Sequence, residues 1–504
     1  MFNSRRGGLL AAVCSAGLIC GLAAGPAAAE TLADAIALAY DSNPSLQAQR
    51  ASQRALDENY VQARSGYRPS LTATAGATYQ EIRVPGAVRG LTIDTNGDGI
   101  PDAAGTGTRT ETNGGTAALS LNQPLYTGGR VAAAVSAAEA DILTGRENLR
   151  RIETQVLGSV ITAYVDTRRD QEALRIRQEN VRVLERQLEE SNARFDVGEI
   201  TRTDVAQSES RLAAAESLFQ TSQAQLAISR ANYVAVVGQS PGDLAPEPSL
   251  ANLLPTTVDQ AFDTAQVDNA QIRAAQYTEQ ASKARVAGAR AERMPNLALT
   301  ARLGYSGSAE PFDSDLYSRN VTAGATFTLP LFSGGLTSSR VRQTAERNNV
   351  DRIGIETARR VVLQNLTQAW SQLAAARANI GSTDTQVRAA RIAAEGTRQE
   401  QQVGLRTTLD VLNAESELRS AELAQGSARH DEYVAAASVL AQMGHLEASY
   451  LTPAVAHYDP KANFGKLRIT WGWVPWEEPI AIVDSVFTPK PVDKPVPKPA
   501  PAGR

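Results

Sequence analysis

The chain has 504 residues and a formal net charge of −4, from 50 Lys and Arg against 54 Asp and Glu. That balance excludes a basic nucleic-acid footprint, and aromatics at 5% are few for a compact enzyme core. Ala, Arg, Ser, Glu and Gln are plentiful, which suits long solvated helices, in a length that allows two to four domains.

Residues 1–29 read as an export signal. Arg5 and Arg6 precede an apolar run from Leu9 to Ala24, and Ala27-Ala28-Ala29 offers a cleavage site before Glu30. A lipoprotein reading of Cys20 is the rival, but Gly17-Leu18-Ile19 lacks the Leu-small-small pattern. Cys14 and Cys20 are the two cysteines, so an exported chain cut before Glu30 carries neither a disulfide nor a thiolate metal site. No later apolar run reaches the roughly 18 residues of a transmembrane helix, yet a barrel strand needs only about 9–11 alternating residues.

The remainder divides into residues 30–238, a Pro-rich linker over 239–257, residues 258–445, and an extension over 446–504. From Leu32 to Arg64 the pattern is helical, broken at Asn43-Pro44. After Pro69, Leu71, Ala73, Ala75, Ala77 and Tyr79 alternate with Thr72, Thr74, Gly76 and Thr78, which predicts a strand over about 70–82. A Gly, Thr and Asp-rich loop leads to a second strand, about 115–126, ending at Pro124-Leu125-Tyr126-Thr127-Gly128-Gly129. Helical periodicity then runs from Arg130 to Phe195, long enough for roughly 100 Å. Val181, Leu184, Leu188 and Phe195 mark a coiled-coil-like seam.

At Val197-Gly198-Glu199-Ile200-Thr201-Arg202-Thr203-Asp204-Val205 a glycine ends this helix, and Thr and Asp start a shorter one to Val237. The plan then repeats. Val258 to Arg293 is expected as one helix, followed by Pro295 and strands over about 296–306 and 320–332. A second turn, Pro330-Leu331-Phe332-Ser333-Gly334-Gly335, follows, then a second long helix to Val403. Val403-Gly404-Leu405-Arg406-Thr407-Thr408-Leu409-Asp410-Val411 is the second hairpin, before a return helix ending near Met443. Gly198 to Gly404 and Asp204 to Asp410 share one offset, 206 residues, whereas Pro69 to Pro295 spans 226. The 20 extra residues fall in the first strand–strand loop. Pro69, Pro124, Pro295 and Pro330 are each expected at a helix–strand junction, where proline's missing N–H punctuates the chain.

Four strands cannot close a barrel, and an open edge in lipid leaves backbone groups unpaired. Several chains must therefore pool their strands, and three chains supply twelve. The long helices are too polar for lipid and must project from it. The fold class is thus an α+β membrane protein with a duplicated helix–strand–strand–helix unit. It builds a β-barrel pooled from several chains, a 12-strand β-barrel where the assembly is trimeric, continued by a long α-helical barrel.

With Arg194-Phe195-Asp196-Val197-Gly198, Thr203-Asp204-Val205, Val403-Gly404-Leu405-Arg406-Thr407, Asp410-Val411-Leu412 and the two Pro-Leu-aromatic-x-Gly-Gly turns, the sequence resembles the TolC family of outer-membrane efflux and secretion channels. The resemblance implies a homotrimer in the outer membrane with a periplasmic tunnel. The tip would be closed at rest and opened by a periplasmic membrane-fusion adaptor and an inner-membrane ABC transporter or RND pump. It implies a latch of Thr203, Asp204 and Arg406, and a constriction ring of Asp410 whose second family aspartate is here Asn413. The family's aromatic partner of the latch falls on Gln401. Type I protein secretion is favoured over small-molecule efflux, on the run Thr201 to Gln207 and on His457-Tyr458-Asp459-Pro460.

No cofactor is required. The loop insertion holds Asp94, Asn96, Asp98, Ile100 and Asp102 at alternate positions with Gly99 sixth, which resembles a short calcium loop. Gly105 stands where an EF-hand has its Glu. An enzyme is not expected: His430, His445 and His457 lack a companion cysteine or phosphate-binding motif, and His430 beside Asp431 and Glu432 reads as a solvated helix residue. A periplasmic adaptor or tether, the other class with long helical hairpins, does not account for four amphipathic strands in two matched halves.

Overall fold

The computed structural model describes residues 29–84, 108–308, 317–452, 457–467, 469–470 and 472–486. In the first half, α1 (Leu32–Ser42) and α2 (Pro44–Arg64) lead to β1 (Ser70–Val84) and β2 (Thr108–Tyr126). Then come α3 (Arg130–Asp196), 67 residues long, and the returning α4 (Arg202–Val237). The second half repeats this order as α5 (Val258–Asp268), α6 (Ala270–Ala291), β3 (Asn296–Ser308), β4 (Tyr317–Thr328), α7 (Leu336–Gln402) and α8 (Thr408–Met443). Three short helices follow, α9 (Ala448–Leu451), α10 (Pro460–Lys466) and α11 (Glu477–Asp484).

The four strands form one antiparallel sheet in the order β1-β2-β3-β4. β2 and β3 pair although the whole excursion α3–α6 separates them in sequence, so the central pairing is not a hairpin. Its register aligns the apolar residues of all four strands. Leu71, Leu121, Ala301 and Ala323 share a row, as do Ala73, Leu119, Leu303 and Val321. The opposite face carries the rows Thr72, Ser120, Arg302, Thr322 and Ser70, Asn122, Thr300, Gly324. Because side chains alternate with period two, a slip of one residue would scramble both faces. One face is therefore lipid-compatible and the other polar. The first hairpin pairs up to Val84↔Thr108, whereas β3 leaves β2 at Gly114↔Ser308.

Three expected boundaries differ. The helix expected over Val258 to Arg293 is interrupted at Asn269, whose backbone is extended at φ −64° and ψ 122°. Its side chain caps α6 by accepting from the Gln271 and Ile272 amides. No proline marks this break, unlike Asn43-Pro44 in the first half. β4 stops at Thr328, so Leu329 to Phe332 lie outside it. β2, expected from about 115, begins at Thr108, and Pro124 falls within it, as the expected bounds place it, at a bulge where the pairing with β3 shifts between Pro124 and Tyr126. β1 has already separated from β2 there, so no N–H is missed on that side. Pro69 and Pro295 immediately precede β1 and β3, and Pro330 follows β4.

The main hydrophobic core lies where the short helices α1 and α5 lie over the long ones. Ile36 and Tyr40 of α1 pack with Leu157, Ile161 and Tyr164 of α3, Leu366 and Leu373 of α7, and Val439 and Leu440 of α8. Each such side chain contributes about 1.5–3 kcal/mol on burial, which concentrates cohesion in this belt. Toward the hairpins only α3 with α4 and α7 with α8 continue. Only small clusters persist there, such as Leu184, Ala215 and Leu412. Phe195, the expected end of the seam, is exposed within one chain.

Candidate functional site: the two hairpins and the polar sheet face

Both hairpins are built from the same local chemistry. α3 and α7 each end on a glycine in the left-handed region, Gly198 at φ 78° and Gly404 at φ 79°. There the Glu199 amide reaches back to the Arg194 carbonyl at 2.9 Å, and Leu405 to Glu400 at 2.8 Å. Any residue with a Cβ is strained at that φ, so glycine is what lets the chain reverse in so few residues. The next helices start with reciprocal capping boxes. The Asp204 carboxylate accepts from the Thr201 amide and hydroxyl at 3.0 and 2.8 Å, and Asp410 accepts from Thr407 at the same distances. Thr201 and Thr407 are thus the caps; Thr203 lies in the first turn of α4, exposed. The threonine hydroxyls hold both aspartates below the usual carboxylate range.

Within one chain Arg406 pairs with Glu400 of its own hairpin at 2.9 Å. Among the described residues it makes no ion pair with Asp204. Asn413 accepts from Arg211 at 3.0 Å, which ties α8 to α4 near the tip. Gln401 is buried, and its carbonyl accepts from the Gly404 amide at 3.0 Å. Val197, Val403 and Leu405 are exposed at the turns.

The structure adds three features that sequence reasoning missed. On the polar face of the sheet, Arg302 is the single charged side chain among the described residues; all others there are Thr, Ser, Asn, Gln, Gly or apolar. His430 is not a solvated residue: it is largely buried, 2.9 Å from Asp166 of α3 and 2.9 Å from Asp431. The C-terminal extension folds back on the junction between helices and strands. Arg64 and Arg68 both bind the fully buried Glu477, at 2.6 and 2.9 Å. No periodicity announced these contacts, because their partners are hundreds of residues apart.

The run from Asp94 to Asp102 lies outside the described residues. Among the described residues, no group of three or more His, Cys, Asp or Glu is placed to hold a metal. No described helix is long and apolar enough to cross a membrane.

A sheet with one apolar and one polar face, continued by 67-residue helices that double back at paired tips, defines one share of a barrel-and-tunnel outer-membrane channel. A family model described as outer membrane efflux protein matches residues 35–239 and 261–445. The chain belongs to that family, the TolC-type channels. It is 33% identical over 450 residues to outer membrane efflux protein BepC of Brucella suis biovar 1 (strain 1330), covering 88% of this chain and 92% of that one. Alkaline protease secretion protein AprF of Pseudomonas aeruginosa is 25% identical over 345 residues, 68% of this chain and 72% of AprF. Outer membrane protein TolC of Escherichia coli (strain K12) is 25% identical over 439 residues, 83% of each chain. The solved CmeC outer membrane channel of Campylobacter jejuni shares the fold at TM-score 0.69 and 14% identity, over 86% of this chain and 89% of CmeC.

The protein is therefore an outer-membrane export channel with its helices in the periplasm. The sheet is one chain's share of such a channel's barrel, with a polar face suited to a water-filled lumen. Its family consists of channel proteins, not enzymes.

Proposed function

We propose that this chain forms the outer-membrane duct of a type I protein secretion route, as a homotrimer served by a periplasmic membrane-fusion adaptor and an inner-membrane ABC transporter. The trimer is supported by the free edges of β1 and β4, which must pair in lipid. It is also supported by the exposed Leu331, Phe332, Leu336, Val350 and Ile353 beside them, an apolar seam for a neighbouring chain. The observation that carries the duct is the placement of two matched hairpins at the end of helices roughly 100 Å long. Secretion is supported by the likeness to AprF, named for protease secretion. Small-molecule efflux with an RND pump is the second reading, favoured by the higher identity to BepC, named for efflux.

At the tip, Asp410 would stand as a ring of three carboxylates, which favours cations. Arg406 would exchange Glu400 for Asp204 and Thr203 of another hairpin, a charge-assisted latch that holds yet releases. Exposed Val197, Val403 and Leu405 would meet the adaptor. Asp94, Asn96, Asp98, Ile100 and Asp102 would bind Ca²⁺ outside the cell.

A deletion strain tests the route. Loss of one or a few secreted proteins, with unchanged susceptibility to dyes, detergents and antibiotics, supports secretion. Hypersensitivity with an intact supernatant replaces it with efflux, and both together mean a shared duct.

A further inference from the structure

The last described segment is an amphipathic helix turned inside out. α11 buries two carboxylates, Glu477 at 0% and Asp484 at 3% exposure, seven residues apart on one face. On the other side Ile482, Val483 and Val486 are 68%, 59% and 67% exposed, and Pro479 falls in the same stripe. A helix packed against a protein from water does the opposite.

The buried face is fully engaged. Glu477 takes Arg64 and Arg68. Asp484 accepts from the amides of Thr127 at 2.9 Å, Gly129 at 3.0 Å and Ala132 at 3.3 Å, and from the hydroxyls of Thr127 at 2.7 Å and Tyr67 at 3.2 Å. Gly129, at the N-cap of α3, has no side chain to cap the helix, so Asp484 satisfies its orphan N–H groups from afar.

The position of this strap is set by Gln123. Gln123 shares a register row with Leu299 and Ala325, so its side chain is on the apolar, outward face of the sheet, at the periplasmic end of β2. The Trp476 indole donates to its carbonyl oxygen at 3.1 Å, and Gln123 donates to the Tyr67 carbonyl at 2.9 Å. The strap therefore sits on the outside of the barrel base, where strands leave the membrane, continuous with the lipid-facing band. Trp473 and Trp476 are both partly exposed there, and tryptophan concentrates at that depth in membrane proteins.

We propose that residues 472–486 are a monotopic lipid anchor: Trp473, Trp476, Ile482, Val483 and Val486 enter the headgroup and acyl boundary of the periplasmic leaflet, while Glu477 and Asp484 fasten the segment to the barrel base. The partner is a phospholipid surface. The arrangement would hold each protomer at a fixed depth, and its polar side is protected from lipid by the two arginines and the α3 N-terminus.

The test uses the full-length channel in phospholipid vesicles. Ile482→Cys, Val483→Cys and Val486→Cys are spin-labelled singly, in a chain cut before Glu30, which has no other cysteine. Collision with oxygen should exceed collision with a water-soluble nickel chelate several-fold, as for labels on the lipid-facing side of β1. Preference for the chelate would place the stripe in water and overturn the proposal. Low collision with both would place it against a neighbouring protomer and equally overturn it. A second measurement needs no cysteine: lipids brominated near the headgroup should quench the unmodified protein, and W473F/W476F should lose most of that quenching. Quenching unchanged by the double substitution counts against the anchor.

Discussion

Asn43 donates its side-chain amide to the Val236 carbonyl at 3.0 Å, across the break between α1 and α2. The same side chain accepts from the Ser45 amide at 3.0 Å, capping α2. One residue thus ends α4 and begins α2, stacking the two helices into a single column beside α3. Asn269 does the same in the second half, donating to the Gln442 carbonyl at 2.7 Å and accepting from Gln271 at 2.8 Å. Two short helices thereby run on past a chain break alongside each 67-residue helix.

Asn43→Ala and Asn269→Ala should each cost about 1–2 kcal/mol, since each loses a cap and leaves a carbonyl unpaired. The temperature at which SDS-resistant trimers dissociate should fall in both variants, and further in the double. An unchanged double variant would show that the columns are held by packing alone.

Glu477→Ala removes the buried carboxylate that Arg64 and Arg68 share, leaving Arg64 only its half-exposed partner Glu478. Breaking a buried pair in this way costs about 3–5 kcal/mol, enough to detach α11 while the belt around Leu157 and Leu440 keeps the tunnel folded. Limited proteolysis should then cleave between Leu467 and Glu477 at least tenfold faster, with the rest of the chain resistant.

The capping boxes at the tip carry a pH dependence of known sign. Asp204 and Asp410 have folded-state pKa values lowered from the 3.8 of a free aspartate, first by the hydroxyls of Thr201 and Thr407. Their contribution is present above that value and is lost as pH falls through the lowered one. A spin label at Glu199 should stay immobile from pH 7 to about pH 4 and gain mobility in stronger acid. Asp204→Asn should be mobile throughout.

Among the described residues of the polar sheet face Arg302 is the one charge, and a trimer makes it a ring of three. Replacing it with Gln should shift the reversal potential of reconstituted channels toward cations at about 0.1 M salt. The shift should fade near 1 M, where the screening length is roughly 3 Å. Arg302→Glu should shift it further.

Much of this architecture was legible along the chain. The alternation after Pro69 marked β1, and the double glycines marked where strands give way to helices. The 206-residue offset marked the paired hairpins, because period and turn chemistry are local properties. The interruption at Asn269 was not legible, since an asparagine cap without a following proline does not disturb an Ala-rich helical pattern. His430 was misread for a related reason: its neighbours in sequence are solvated, but its partner Asp166 comes from α3.

The sequence by itself determined the repeat, the period of every long element and the two faces of each strand, all of which follow from residues within a few positions of one another. Only the tertiary structure decided that β2 lies beside β3, that Arg302 is the lone charge on the inner face among the described residues, and that Glu477 and Asp484 fasten the C-terminal extension to Arg64, Arg68 and Thr127. These depend on which distant groups must be desolvated together. A buried carboxylate finds whichever cation and N–H groups the fold brings near, and spacing along the chain carries no record of that.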